Sequence, residues 1–404
     1  MNLGANRTRR LLAVTLMAAT GVGCAMVAGL EDHHLADTDA APPLDAFAGG
    51  DDGSDANAPA DAPGDVPAPP TDASTDAAPS PPETLATGQG GPREIAIDTK
   101  YVYWVNESTG TLVRLPKAGG TAVVLATGLA GPQHIALDDQ RVYVQCYNGG
   151  GTAGAAAVVA VRKEPADASG DVLTLVSGNA GGRAAALALP DSIFLADAGT
   201  GDAAPADDYV WFIDVPGLSA RRVSRQGPVN SDTLVGAILY STAAKPVSPA
   251  IAVDDQNVYY GDQTAPPGPS PNLVRAKRDG TGGSTVFALG SKVIDLRLDA
   301  QSVYWIVPNG AVNRLDKTLA GTAPTVLAND ASNPEGIALD ASYVYWTNPG
   351  GGDVRRVPKT TGKATPIASA QAGPSGIAVD VTAAGTVVYW TNRGDGSVMR
   401  VLSR

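Results

Sequence analysis

The chain has 404 residues, 44% of them hydrophobic and 17% charged, with a formal net charge of -12. That length allows one large core or several small ones, and the acidic balance argues against a nucleic-acid partner, which would want clustered Lys and Arg. The charge is uneven: residues 1–30 hold Arg7, Arg9 and Arg10 and no acid, residues 31–83 hold 13 acids and no Lys or Arg, and the remainder is nearly neutral.

At the N-terminus the three arginines precede an apolar run from Leu11 to Val22 and then Gly23-Cys24, the layout of a secretory signal over residues 1–23. The run is too short for a stable transmembrane helix. A Cys directly after small residues at the end of such a run resembles the bacterial lipobox, with Gly21 where that motif usually has Leu. The resemblance implies that Cys24 is acylated and becomes the mature N-terminus. Ala25, standing where an Asp would imply retention at the inner membrane, implies delivery to the outer membrane. Residues 24–82 then form an acidic stalk of Asp, Ala and Pro with almost no aromatic residues. Such a stretch offers too little apolar surface to offset the entropy of ordering it, so it is expected to be a disordered, extended spacer.

From residue 83 the sequence repeats. Runs such as "IAIDTKYVYW" from Ile95 recur at Ile135, Leu187, Ile251, Leu296, Ile337 and Ile377, spaced 40, 52, 64, 45, 41 and 40 apart. Periods near forty with period-two alternation point to propeller blades. Each copy divides into four strands, with Gly/Asn/Asp turns such as "NESTG" and "NPGGGD" between the second and third. In the third strands Arg114, Arg275, Arg314, Arg356 and Arg400 fall in register. The Leu187 copy, "LALPDSIFLAD", is degenerate, and "GPVNSDTLVGAILYSTAAKPV" before Ser248 reads as an insertion, as do stretches after Asn148 and Asp197. The last copy, from Gly376, holds three strands; its fourth is expected to be Glu83–Thr87, because "TLATG" from Thr84 matches "LATG" from Leu125.

The "YWTN" of Tyr345–Asn348 and Tyr389–Asn392, "YWVN" of Tyr103–Asn106 and "YYGD" of Tyr259–Asp262 resemble the YWTD repeats of low-density-lipoprotein-receptor-type β-propellers and, more loosely, NHL-type propellers. Those receptor propellers usually have six blades. The expectation is therefore an all-β propeller over residues 83–404 with seven four-stranded blades, six being the alternative. Fold alone assigns no function here, since propellers serve as receptors, scaffolds and enzymes.

Candidate functional residues are those that break the repeat. Arg297 stands where other copies have Ala, two residues after Asp295, while Glu94, His134 and Glu335 precede the first strands of their copies. Glu94, His134, Asp295, Arg297 and Glu335 are together expected to line the mouth of the central channel, either as a polar ligand site or as charges that satisfy one another. Arg393-Gly394-Asp395 spells an adhesion tripeptide but falls where a hairpin turn is due. Cys146, in the alternating "RVYVQCYN", reads as a small buried thiol. No phosphate loop, H-E-x-x-H, C-x-x-C or G-x-S-x-G elbow is present, and with His134 the sole histidine beyond the stalk a multi-histidine metal site is excluded.

The sequence thus describes an exported lipoprotein of the outer membrane, facing the periplasm or the surface. It is expected to be monomeric and cofactor-free, a binding or scaffolding module for an envelope protein or small ligand, with no catalytic residue and no metal ligand assigned. The alternative is a lactonase-like hydrolase or lyase sited in the channel, using acidic residues and a divalent metal.

Overall fold

The computed structural model describes residues 80–147, 156–164, 172–177, 187–188, 209–214, 219–225, 233–237, 250–262, 272–279, 281, 285–288, 291–318, 323–360 and 362–404. The signal, Cys24, the stalk up to residue 79, residues 148–155 and the stretch after Asp197 lie outside the described residues.

Among the described residues the strands form seven four-stranded antiparallel sheets, numbered here I to VII by their first strands: Pro92–Ile97, Pro132–Leu137, Leu187–Ala188, Ile251–Val253, Asp295–Leu298, Ile337–Leu339 and Pro374–Thr382. These first strands touch in sequence order, and the strand of VII meets that of I, so the sheets close into a ring around a central axis. The all-β propeller follows from the sequence period: forty residues make one meander of four short strands, whose two apolar faces can be covered only by neighbouring sheets.

The paired aromatics show how this works. Side chains alternate along a strand, so the adjacent Tyr and Trp in the second strands of sheets I, V, VI and VII point to opposite neighbours. Tyr103 packs into the core shared with sheet II, whereas Trp104 packs against sheet VII. Tyr389 likewise packs against sheet I and Trp390 against sheet VI. Trp104, Trp211, Trp305, Trp346 and Trp390, all five tryptophans of the chain, are fully buried.

Each aspartate after a first strand ties its hairpin to the next sheet. Asp98 accepts the N–H groups of Lys100 and Tyr101 and the Tyr103 hydroxyl, and pairs with Lys163 Nζ of sheet II at 3.0 Å. Asp138–Arg225, Asp254–Lys317, Asp299–Lys359 and Asp380–Lys117 repeat the pairing between sheets. Asp340 instead accepts from Thr386 Oγ1 at 2.7 Å. The in-register arginines complete the link: Arg114, Arg275, Arg314, Arg356 and Arg400 each donate to the backbone carbonyl of Lys163, Lys317, Lys359, Arg404 and Lys117 respectively, always on the following sheet. Their repetition is architectural.

Sheet VII is completed by Glu83–Ala86, which pairs antiparallel with Ser397–Ser403. The expected closure by an N-terminal strand is therefore present. Sheet III departs from the sequence reading. Its second strand is Tyr209–Asp214 rather than a continuation of "LALPDSIFLAD", and Thr233–Ala237, read as part of an insertion, is its fourth strand. Residues 192–197 lie outside the described residues.

Candidate functional site

The first strands of sheets I, II and VII begin with a bulge. In sheet I the register shifts between Pro92 and Ile95, and in sheet VII between Pro374 and Ile377. The bulge turns two consecutive side chains, Arg93 and Glu94 in sheet I, toward different surroundings. Glu94, His134 and Asp295 each stand one residue before the anchoring apolar residue, and Arg297 follows Asp295 by two. Glu335 stands two residues before Ile337, the place held by Arg93 and Gln133 in sheets I and II.

That single-residue offset sorts the five candidates into two networks. In the first, His134 Nδ1 lies 2.8 Å from Glu94 Oε2, Arg297 reaches Glu94 Oε1 at 3.4 Å, and Arg297 also pairs with Asp295 Oδ1 at 2.5 Å. Glu94 Oε2 further accepts the Ile135 N–H of sheet II, and Asp295 Oδ2 accepts the Ile337 N–H of sheet VI. The four side chains are largely buried, from 12% exposed for Arg297 to 28% for His134. Sheets I and V are as far apart as two members of this ring can be, so the Arg297–Glu94 pair bridges the channel.

Burial opposes ionisation of Glu94, but His134, Arg297 and the Ile135 N–H outweigh it and hold its carboxyl below the usual glutamate range. Asp295 goes the other way: burial, reinforced by the charge of Glu94, pushes its carboxyl up despite Arg297. Two carboxyls sharing one guanidinium are thereby separated in acidity.

Glu335 is not in that cluster. Its carboxylate pairs with Arg93 at 3.5 Å and Arg393 at 3.6 Å, and both arginines also pair with Glu107, at 2.7 Å and 3.3 Å. Gln133 Nε2 donates to Glu107 Oε1. This second network, contributed by sheets I, II, VI and VII, is half-buried and lies where first strands begin and second strands end. Of the five expected residues, Glu94, His134, Asp295 and Arg297 thus form one network and Glu335 belongs to another. The sequence reading missed Arg93, Glu107 and Arg393, although Arg93, directly after Pro92 and beside the candidate Glu94, was a signal for the first.

The Arg393-Gly394-Asp395 tripeptide is a turn in use by the fold. Arg393 is held by Glu107 and Glu335, the Gly394 N–H donates to Ala372 O, and Asp395 accepts from both the N–H and the hydroxyl of Ser397. Cys146 is fully buried, and burial pushes its thiol up to about 12, the reverse of an activated nucleophile. Among the described residues no three His, Cys, Asp or Glu side chains converge as a metal site.

No protein-family model matches the chain, and no curated protein matches it in sequence. Solved structures match its fold. The virginiamycin B lyase of Staphylococcus aureus superposes with a TM-score of 0.55 at 14% identity, covering 80% of this chain and 98% of that one. The β-propeller domain of Cps50 (Swd1) from Myceliophteria thermophila gives 0.58 at 11% identity over 80% and 100%, and the WD40 propeller of Doa1 gives 0.54 at 14% over 80% and 96%. At these identities the likeness extends to the β-propeller fold.

Proposed function

We propose that the chain is an exported, membrane-anchored β-propeller that serves as a binding or scaffolding module at the cell envelope. The observation that carries this reading is the network of Arg93, Glu107, Gln133, Glu335 and Arg393. Residues that differ from sheet to sheet meet there at one end of the propeller, with both signs of charge partly exposed and each side chain held in place by its partners. A pre-ordered, mixed-charge surface on a rigid scaffold suits recognition of a polar partner. Anchoring rests on the signal-like N-terminus and Cys24. The channel-sited hydrolase or lyase has less to rest on, because the two acids offered for a metal, Glu94 and Glu335, belong to different networks.

Two measurements test the proposal. Envelope extract passed over the immobilised propeller should yield a retained protein or small molecule that Arg393→Glu loses; equal retention by the variant would remove the surface from the reading. Cys24→Ala should move the protein from the membrane to the soluble fraction, and unchanged partitioning would refute the lipid anchor. The enzyme alternative predicts that millimolar calcium, magnesium or manganese raises the melting temperature, and that Glu94→Ala abolishes the rise.

A further inference from the structure

At the rim that carries the second network, three consecutive sheets place one residue each at the same position. Arg393 of sheet VII, Glu107 of sheet I and Tyr147 of sheet II directly follow their second strands. Each donates its backbone N–H to a glycine carbonyl, that of Gly373, Gly91 and Gly131, at 2.9, 3.0 and 2.8 Å. Nearer the axis stand Glu335 of sheet VI and, each one residue after the proline that opens its first strand, Arg93 and Gln133. In sheet I the two rows meet, with Arg93 Nε 2.7 Å from Glu107 Oε2. Gln133 and Tyr147 hold the matching pair of positions in sheet II, and Gln133 Nε2 reaches Glu107 Oε1 at 3.1 Å.

The hydrogen bonding of this network is uneven. Glu107 accepts from Arg93, Gln133 and Arg393. Glu335 instead meets Nη1 of Arg93 and Nη1 of Arg393 at 3.5 and 3.6 Å, outside the about 2.7–2.9 Å of a charge-assisted hydrogen bond. Its carboxylate, 30% exposed, thus faces two guanidiniums across a gap, which is filled by a group that accepts from one side and donates to the other. A hydroxyl does both, and two neighbouring hydroxyls span such a gap. Tyr147 adds an apolar face: at 40% exposure it is the one exposed aromatic side chain among the described residues. Such a ring takes the C–H surface of a ligand and keeps a polar tip for water.

We propose that this rim binds an oligosaccharide, one sugar unit lying on Tyr147 and another bridging Glu335 to Arg93 and Arg393 through neighbouring hydroxyls. The inference rests on the reading above that this rim is the recognition surface, and it names the class of partner. The row crosses sheets VI, VII, I and II, which suits a chain of sugar units better than a single one. A protein partner fits less well, because the core of a protein interface is apolar. Here the other exposed large apolar side chains lie elsewhere: Val123, Val124, Val172 and Val326 are on fourth strands, and Val381 is at the opposite end of sheet VII.

The test exposes the full chain to an array of immobilised oligosaccharides and then titrates the strongest ligand in solution. Wild type should be retained by at least one saccharide. Its affinity should fall about tenfold in Tyr147→Ala and in Glu335→Gln, whereas Tyr147→Phe, which keeps the stacking face, should stay close to wild type. Thermal unfolding of the two Tyr147 variants should match wild type, so that their difference in binding reports the ring alone. A saccharide bound equally by wild type, Tyr147→Ala and Glu335→Gln, or no saccharide retained at all, would overturn the proposal. In that last case a protein captured from envelope extract by wild type and lost in Arg393→Glu would leave the rim a recognition surface for protein, and failure of both captures would sink the broader reading as well.

Discussion

Arg400 and Glu83 stand 317 positions apart in the chain, yet the guanidinium of one grips the carboxylate of the other through contacts of 2.8 to 3.0 Å. The pair sits where the N-terminal strand Glu83–Ala86 completes sheet VII, with Leu85 and Ala86 packed into the core between sheets VII and I. Closure of this kind covers a sheet edge that would otherwise be open and fastens the ring without a disulfide. Removal of residues 1–90 should therefore lower the urea midpoint substantially, whereas removal of residues 1–80 should leave it unchanged. Equal midpoints for the two truncations would count against closure by this strand.

Trp346 differs from its counterparts. Trp104 and Trp390 donate their indole N–H to Gln89 Oε1 and Gln371 Oε1, each at 2.9 Å, and the same glutamine oxygens accept from Asn106 and Asn392. The corresponding position in sheet VI is Ala331, and the Trp346 Nε1 is buried without a partner. Supplying that acceptor with Ala331→Gln should stabilise the protein by about 1 kcal/mol, while Gln371→Ala should cost about 1–3 kcal/mol by orphaning two donors. Denaturant titration of the two variants measures both.

The Asp–Lys links between sheets make a prediction about acid. In Asp98 and Asp299 burial opposes ionisation, but the backbone N–H groups and Lys163 or Lys359 win, and both carboxyls are held below the usual aspartate range. Their stabilisation is present above the unfolded value of about 3.9 and is lost as pH falls through the folded values. Wild type should thus lose stability steeply below about pH 4. Asp299→Asn should be less stable at pH 7 and show a shallower acid limb, because it has one such carboxylate fewer to protonate.

Cys146 should not react. With its thiol fully buried and pushed up to about 12, a Cys24→Ser variant should show no thiol labelling at pH 8 in the native state and one labelled thiol in urea. Rapid native labelling would contradict the burial.

The channel and its rim show where sequence reasoning stopped. The forty-residue period, the alternation along each strand and the matching "TLATG" and "LATG" segments made the propeller and its closure readable, because these are local patterns repeated many times over. Sheet III was misread because its second strand, Tyr209–Asp214, lies far down the chain from Leu187, and a long intervening stretch defeats an alignment by spacing. The candidate site was legible as a set of residues that break the repeat, but not as an arrangement.

What the sequence determined alone is the class of fold and the residues that make each repeating unit alike. Only the tertiary structure decided that Glu94 and Arg297 meet across the axis while Glu335, at one residue's remove, turns to Arg93 and Arg393. The reason is geometric. A one-residue offset in a strand reverses the direction of a side chain, and contacts across a ring depend on how the ring closes, which no local pattern encodes.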